Sequence, residues 1–348
     1  MKKRILLAAI ALLLILLIFA TWKIAGSATA FSGSKYTLYV RTGMHFNDLI
    51  SAMEKDTVLK NPGVFKWVAG KIDYPPNMKA GKYEILQGMS MVSILRMLRN
   101  GRQTPVNLVI TKLRTKEDLA SLVGKKLECD SSSFFRFLEN NDSLRAFQLD
   151  SNTVMTAVFP NSYTYFWNTN PERVFKKLFV EYRSFWNQKR LQDAHEHGLN
   201  ATSAYILASI VEEETNQKDD KGKVASVYLN RMNKGMKLGA DPTIKFAMRN
   251  FELKRIYEKY LSVESPYNTY KYPGLPPGPI CTPSVETLDA VLNSPKTDYL
   301  YFVAKPDFSG YSNFSETFKQ HMQYAKAYQE SLDEQMKIGD SSKKKNSK

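Results

Sequence analysis

ASIVEEETNQKDDKGKVASVYLNRMNKGMKLGADPT, residues 208–243, decides how this chain folds. Taken as a helix, its first half aligns Leu207, Ile210 and Val211 in an apolar stripe, and Glu214 falls on the same face at helical spacing from each. A carboxylic acid on a face that a helix buries loses the solvation of its charged form, and its pKa rises. Such an acid stays protonated near neutral pH and can donate its proton. Glu212 and Glu213 fall on other faces, so the three neighbouring acids are not equivalent. The second half repeats the pattern with a cation. Val224, Val227 and Tyr228 make the stripe, Arg231 lies on it, and Gly235 suits the helix end. With a polar turn over 216–222, two antiparallel helices bring an acid and a guanidinium to one interior. A buried structural ion pair would give the same spacing.

Working outward, further blocks join this one: ASIVEEET at 208–215, VASVYLNRMNKGMKL at 224–238, ADPT at 240–243, SPYNTYKYPGLPPGPICTPS at 265–284 and YLYFVA at 299–304. In this order they resemble the YceG-like family of endolytic murein (peptidoglycan) transglycosylases, and the resemblance runs from the N-terminal apolar segment to about Tyr328. It implies an α+β fold and cleavage of the β-1,4 bond between N-acetylmuramic acid and N-acetylglucosamine in nascent glycan strands. Cleavage would be non-hydrolytic, would leave 1,6-anhydro ends and would terminate strand elongation. Glu214 matches the family's catalytic acid. Arg231, Asn230, Asp241, Thr243 and the loop residues Tyr267, Asn268, Thr269 and Tyr270 are its expected substrate contacts. Asp241 before Pro242 is equally accounted for as a helix N-cap. The chain departs from the family pattern at Gly239, where Gln is usual, at Asn161-Ser162, and at Ser312-Asn313-Phe314, where a His is common. His321 matches a later family His.

The chemistry fits a single acid. Glycoside hydrolysis ordinarily takes two carboxylates. A lytic transglycosylase uses the muramyl residue's own C6 hydroxyl as nucleophile, so one group can give and then take the proton. Two other readings stand beside this one. One is a hydrolytic muramidase with Glu212 or Asp241 as second carboxylate; the other is a membrane-tethered glycan-binding scaffold without catalysis.

The remaining chain is organised around this block. A basic start precedes an unbroken apolar run at 5–20, followed by Trp22 and Lys23, which predicts a single transmembrane anchor over 1–23 with the N-terminus in the cytoplasm. Ala28-Thr29-Ala30 offers the rival reading of a cleaved signal peptide. Small polar residues at 24–34 read as a linker. Residues 35–110 alternate as strand (36–40), two helices (about 46–53 and 64–68) and strand (80–85), then a helix (91–99) and a strand (106–110). That order resembles the family's LysM-like module, which would bind glycan or serve only as packing. The catalytic domain would occupy 111–330, with helices at 115–127 and 172–186, a Ser-rich turn before Phe134, Phe135 and Phe137, a long loop at 265–283 and a buried strand at 299–304. A basic tail, 331–348, has the composition of a disordered segment.

The formal charge of +15 over 348 residues implies an anionic partner such as a membrane surface or an acidic polymer. No nucleic-acid-binding pattern accompanies it. The family resemblance implies peptidoglycan strands, the cytoplasmic membrane and peptidoglycan synthases as partners, at the outer face of a bacterial inner membrane, and the basic charge agrees with that. No cofactor is expected. Nor is a metal, since His195-Glu196-His197 does not share a helix face. Cys129 and Cys281 are too few for a disulfide framework, though one bridge would suit an oxidising compartment.

Overall fold

The computed structural model describes residues 2–346; for residues 2, 8, 16–25 and 336–346 it describes the backbone alone. The fold is mixed α+β, with three two-stranded sheets among the described residues. The chain divides into two compact units. The first takes everything up to Leu108 together with Val123–Asp130 and Thr164–Asn170; the second takes Val109–Leu122, Ser131–Tyr163 and the chain from Pro171 onward.

After helix α1 (Lys2–Ala25), the first unit runs β1 (Lys35–Val40), α2 (Phe46–Lys55), α3 (Pro62–Lys71), β2 (Gly81–Leu86) and α4 (Met91–Asn100). Strands β1 and β2 pair antiparallel, with Tyr36 opposite Ile85 and Leu38 opposite Tyr83. Alternation buries Leu38, Val40, Tyr83 and Ile85 on one face, and Leu49, Ile50 and Met53 of α2 and Ile94, Leu95 and Leu98 of α4 pack against it. Each such side chain contributes about 1.5–3 kcal/mol relative to exposure. Ser90 caps α4 by accepting from Ser93 N, and Gly101 closes it at φ +66°.

The segment read as a linker is pinned to this unit. Ala28 N donates to Met89 O, Ala30 N to Val58 O, and Lys60 N to Ala28 O. Gly88 N donates to Thr29 Oγ1 at 2.8 Å. The small side chains that suggest flexibility also let the backbone lie flat along its neighbours. Among the described residues no helix is long and apolar enough to cross a membrane. The expected anchor falls partly on residues 16–23, whose side chains lie outside the described ones.

The chain continues through β3 (Val106–Ile110), α5 (Lys116–Lys126), α6 (Ser131–Glu139), α7 (Asn141–Arg145), β4 (Asn161–Tyr165), α8 (Pro171–Phe185), α9 (Gln188–Glu196), α10 (Ala201–Glu214), α11 (Lys218–Asn233), α12 (Asp241–Ala247), α13 (Val285–Leu292), β5 (Tyr301–Ala304), β6 (Ser312–Ser315) and α14 (Phe318–Asn346). Helix α10 is the axis of the second unit. Every residue from Ala204 to Val211 is buried, and α11, α12 and α13 pack around it. A capping box opens it: Asn200 Oδ1 accepts from Ser203 N at 2.9 Å and Ser203 Oγ from Asn200 N at 2.8 Å.

Several elements differ from the sequence reading. Helix α11 begins at Lys218, so the expected turn at 216–222 shortens to Thr215–Gln217. Asp219 and Asp220 in its first turn suit the positive end of the helix dipole. Gly222 lies inside the helix, and the absence of a Cβ there, which would sit 3.3 Å from Pro295, suits the close packing. The serines before Phe134 start α6 instead of forming a turn. Strand β5 is half-buried, pairing antiparallel with β6 so that Phe302 faces Phe314. Helical backbone continues through 331–346, where composition reads as disorder; residues 347–348 lie outside the described ones.

Candidate active site

Glu214 closes α10, and Thr215 leaves the helix in extended conformation. Leu207, Ile210 and Val211, the stripe that predicts its direction, are fully buried. Burial lifts the Glu214 carboxyl from the ordinary 4.5 to about 7. The charge of Asp241 pushes the same way, while the Tyr228 hydrogen bond, Arg231 and Lys245 oppose it. The negative end of the α10 dipole also disfavours a carboxylate at this position. The acid is thus held near the protonation balance that proton transfer at neutral pH requires.

Tyr228, on the apolar stripe of α11, is 1 % exposed and donates its hydroxyl to Glu214 Oε1 at 2.7 Å. That bond fixes one of the two carboxyl oxygens. Desolvation, then the Glu214 charge, raises the Tyr228 pKa well above the phenol range, so it remains a donor. Opposite, Tyr270 donates to Asp241 Oδ1 at 2.6 Å. Burial and that hydrogen bond also raise the Tyr270 pKa. Asp241 is the first residue of α12, with Ala240 at the N-cap, so the expected N-cap moves by one residue.

Arg231 makes no ion pair with Glu214 among the described residues. Its Nε donates to Leu300 O at 2.7 Å, its Nη1 donates to Leu238 O, and the guanidinium lies 5.4 Å from the Tyr301 ring centre. Arg231 therefore ties α11 to β5 and to the turn before α12, while its charge is felt at Glu214. His321 stacks on Tyr301 at 5.3 Å, and its Nδ1 is buried without a partner. Burial and Arg231 both lower its pKa, which keeps the ring neutral.

The other expected contacts are engaged within the protein. Asn230 Nδ2 donates to Thr297 O at 2.7 Å and Tyr299 O at 2.9 Å. Asn268 is fully buried: its Nδ2 donates to Leu261 O and Val263 O, and its Oδ1 accepts from Tyr270 N and Lys271 N. Thr269 Oγ1 accepts from Ala240 N at 3.0 Å and meets Thr243 Oγ1 at 2.8 Å, both threonines being buried. Tyr267 packs on Phe246 at 4.6 Å. This loop core sets Tyr270 and Asp241 in place; of the four loop residues, Tyr270 is the one tied to the Glu214 surroundings.

The neighbouring acids are occupied. Glu212 accepts from Lys221 Nζ at 3.2 Å, Ser284 Oγ at 3.0 Å and Thr287 Oγ1. Glu213 pairs with Lys112 at 2.9 Å and Arg114 at 3.1 Å. Those two cations hold its pKa below the usual carboxylate range despite burial. Both cysteines are free thiols, with Cys281 Sγ donating to Ser209 O at 3.3 Å. His197 Nε2 contacts Leu292 O at 3.0 Å at the end of α9.

Sequence periodicity marks Tyr228 as core and overlooks its hydroxyl. The missed signal is that a Tyr deep in an apolar stripe needs a partner for its O–H, and Glu214 is the acceptor available.

A half-buried acid, held by a phenol and with a second carboxylate near enough to raise its pKa, is a group able to exchange a proton near neutral pH. The chain belongs to the YceG-like family, whose model matches residues 38–327. It is similar to an endolytic murein transglycosylase of Bacillus subtilis (strain 168), 27% identical over 319 residues, covering 87% of each chain. A second relative, an endolytic murein transglycosylase of Streptococcus pneumoniae serotype 2 (strain D39), is 25% identical over 308 residues, covering 78% of this chain and 55% of its own. Among solved structures, a putative yceG-like protein from Listeria monocytogenes aligns with TM-score 0.55 and 25% identity, covering 84% of this chain and 99% of that one.

Proposed function

We propose that this chain is an endolytic lytic transglycosylase of nascent peptidoglycan, with Glu214 as its single acid/base. The observation that carries the reading is the Glu214 carboxyl, raised to about 7 and held by Tyr228. The protonated carboxyl gives its proton to the glycosidic oxygen as the bond from C1 of the muramyl ring breaks. The C6 hydroxyl of the same ring closes on C1, and Glu214 takes back the hydroxyl proton. The C1–O6 bond replaces the C1–O4 bond, no water is consumed, and a 1,6-anhydro end is left. Tyr270, Asp241 and Arg231 shape the surroundings of the acid; Asn230, Thr243, Tyr267, Asn268 and Thr269 act by holding the loop and strand that carry them. Weighing the fragments of digested peptidoglycan tests this: products that gain the mass of water would sink it.

A hydrolytic muramidase is the second reading, because Asp241 is near enough for its charge to raise the Glu214 pKa. Glu212, locked by Lys221 and two hydroxyls, is the weaker candidate for a second carboxylate.

The proposed setting is the outer face of a bacterial cytoplasmic membrane, beside peptidoglycan synthases, with residues 1–23 as the anchor. Ile5, Leu6, Leu7, Ile10 and Leu12 to Ile15 of α1 are exposed apolar side chains behind a basic start, which supports a lipid environment. The β1-α2-α3-β2 order supports a LysM-like, glycan-holding module over 35–110, with the catalytic domain over 111–330. Protease protection of the N-terminal segment in vesicles tests the topology, and binding of residues 24–110 to glycan strands tests the module.

A further inference from the structure

Within the first unit, α3 and α4 leave a groove of about 320 Å³ between them. Its floor is apolar: Val68 and Leu95 are buried, and Ile72 and Val92 are half-buried. Arg96 and Arg99 line the same groove and are exposed. The two helices together carry Lys66, Lys71, Arg96 and Arg99 and no acidic residue, and none of these four makes an ion pair among the described residues. Asp73, just beyond α3, does not line the groove. Trp67, next to Val68 in the chain, is 59 % exposed, with the Lys71 ammonium 5.8 Å from its ring centre. Cations in a last helical turn suit the helix dipole, which accounts for Lys71 and Arg99. Arg96 and the exposed indole need another reason. The groove is also close in the chain to the proposed anchor, since Ser27, just after α1, bridges to Ser90, the N-cap of α4.

Resting on the reading of residues 1–23 as an anchor, we propose that the α3–α4 groove is a second, peripheral membrane contact that takes an anionic phospholipid. The lipid phosphate meets Arg96 and Arg99, the upper methylenes of an acyl chain lie on the apolar floor, and Trp67 sits at headgroup level, where indoles collect. An acidic polymer would use the cations and leave the floor and the indole idle; a lipid uses all three. The anchor alone fixes how far the first unit stands from the bilayer and leaves it free to turn. A second contact on α3 and α4 decides which face of that unit meets the lipid.

The test places the full chain in two kinds of vesicle, one of phosphatidylcholine and one in which phosphatidylglycerol replaces part of it. All lipids carry bromine on their acyl chains, which quenches a nearby indole. The Trp67 signal is the difference between the chain and its Trp67→Phe variant. Trp67 is quenched in the phosphatidylglycerol vesicles and much less in the neutral ones. Each cation near an anionic surface is worth about fivefold in occupancy of the contact. Arg96→Gln with Arg99→Gln therefore lowers occupancy by about 25-fold and erases the difference, while Arg96→Lys with Arg99→Lys keeps most of it. Both arginines are exposed, so the variants keep the fold, as circular dichroism checks. Equal quenching in the two vesicles, no quenching in either, or a difference unmoved by the double Gln variant overturns the inference. Protease digestion of the same vesicles reads the anchor separately. An unprotected N-terminal segment overturns the anchor reading, and the Trp67 signal then still reports whether the groove holds lipid.

Discussion

The phenol of Tyr228 donates to Oε1 of Glu214 across 2.7 Å, joining the end of α10 to the middle of α11. The bond favours the carboxylate, so it holds the acid's pKa below what burial alone would produce. Tyr228→Phe removes that restraint. The alkaline limb of the activity profile should move to higher pH, and the rate at neutral pH should fall about tenfold through lost orientation. A pH–rate series on the variant reads both effects; an unmoved limb would count against the bond's role.

Glu214→Gln should abolish glycan cleavage, by about 10²–10⁴-fold for loss of a general acid. Circular dichroism should show the fold retained. Fragment mass spectrometry of digested peptidoglycan is the measurement, and full activity in the Gln variant would end the assignment.

The same substitution should alter how stability follows pH. In the folded chain Glu214 titrates near 7, against 4.5 for an ordinary Glu. Between these values the native state binds more protons than the unfolded one, so stability falls as pH rises from about 4.5 to 7 and then levels. The loss is about 3 kcal/mol. The Gln variant lacks this term. Its melting temperature relative to wild type should therefore rise between pH 5 and pH 8, as thermal denaturation at both values would report.

Lys221 is 6 % exposed, with its Nζ on Glu212 at 3.2 Å and on Thr287 Oγ1 at 2.6 Å. Lys221→Met leaves Glu212 enclosed without a cation. Destabilisation of about 3 kcal/mol is expected from urea unfolding, and wild-type stability in the variant would show that the pair is idle.

Gly239 sits at φ +59°, where a Cβ would meet Tyr270 at 3.5 Å and Arg231 at 3.6 Å. These are ordinary contacts, so the backbone sets the cost. Gly239→Ala should lose about 1 kcal/mol in chemical denaturation while retaining activity. Lost activity at unchanged stability would point instead to a crowded site.

Much of the scaffold is legible in the sequence because it follows one local rule. The stripes of α10 and α11, the alternation of β1 and β2, and the spacing of α2 and α4 all state which face turns inward. The site is less legible, because polar side chains carry no such period. Asn268 and Thr269 read as sugar-binding loop residues, yet the loop folds over them and spends their hydrogen bonds on its own backbone. Gly222 reads as a turn, yet its missing side chain serves close packing against Pro295. Arg231 is correctly aimed inward, but its partners are carbonyls of Leu238 and Leu300, which only the closed fold brings near.

The backbone leaves α1 at Ala25 and is already bridged to Ser90 at Ser27. With α1 seated in a bilayer, the leash between lipid and the first folded unit would be two or three residues, about 10 Å at full stretch. Under the proposed anchoring, such a mooring would give that unit almost no freedom to roam. It would meet only strands still lying close to the headgroups, within reach of the machinery that extrudes them.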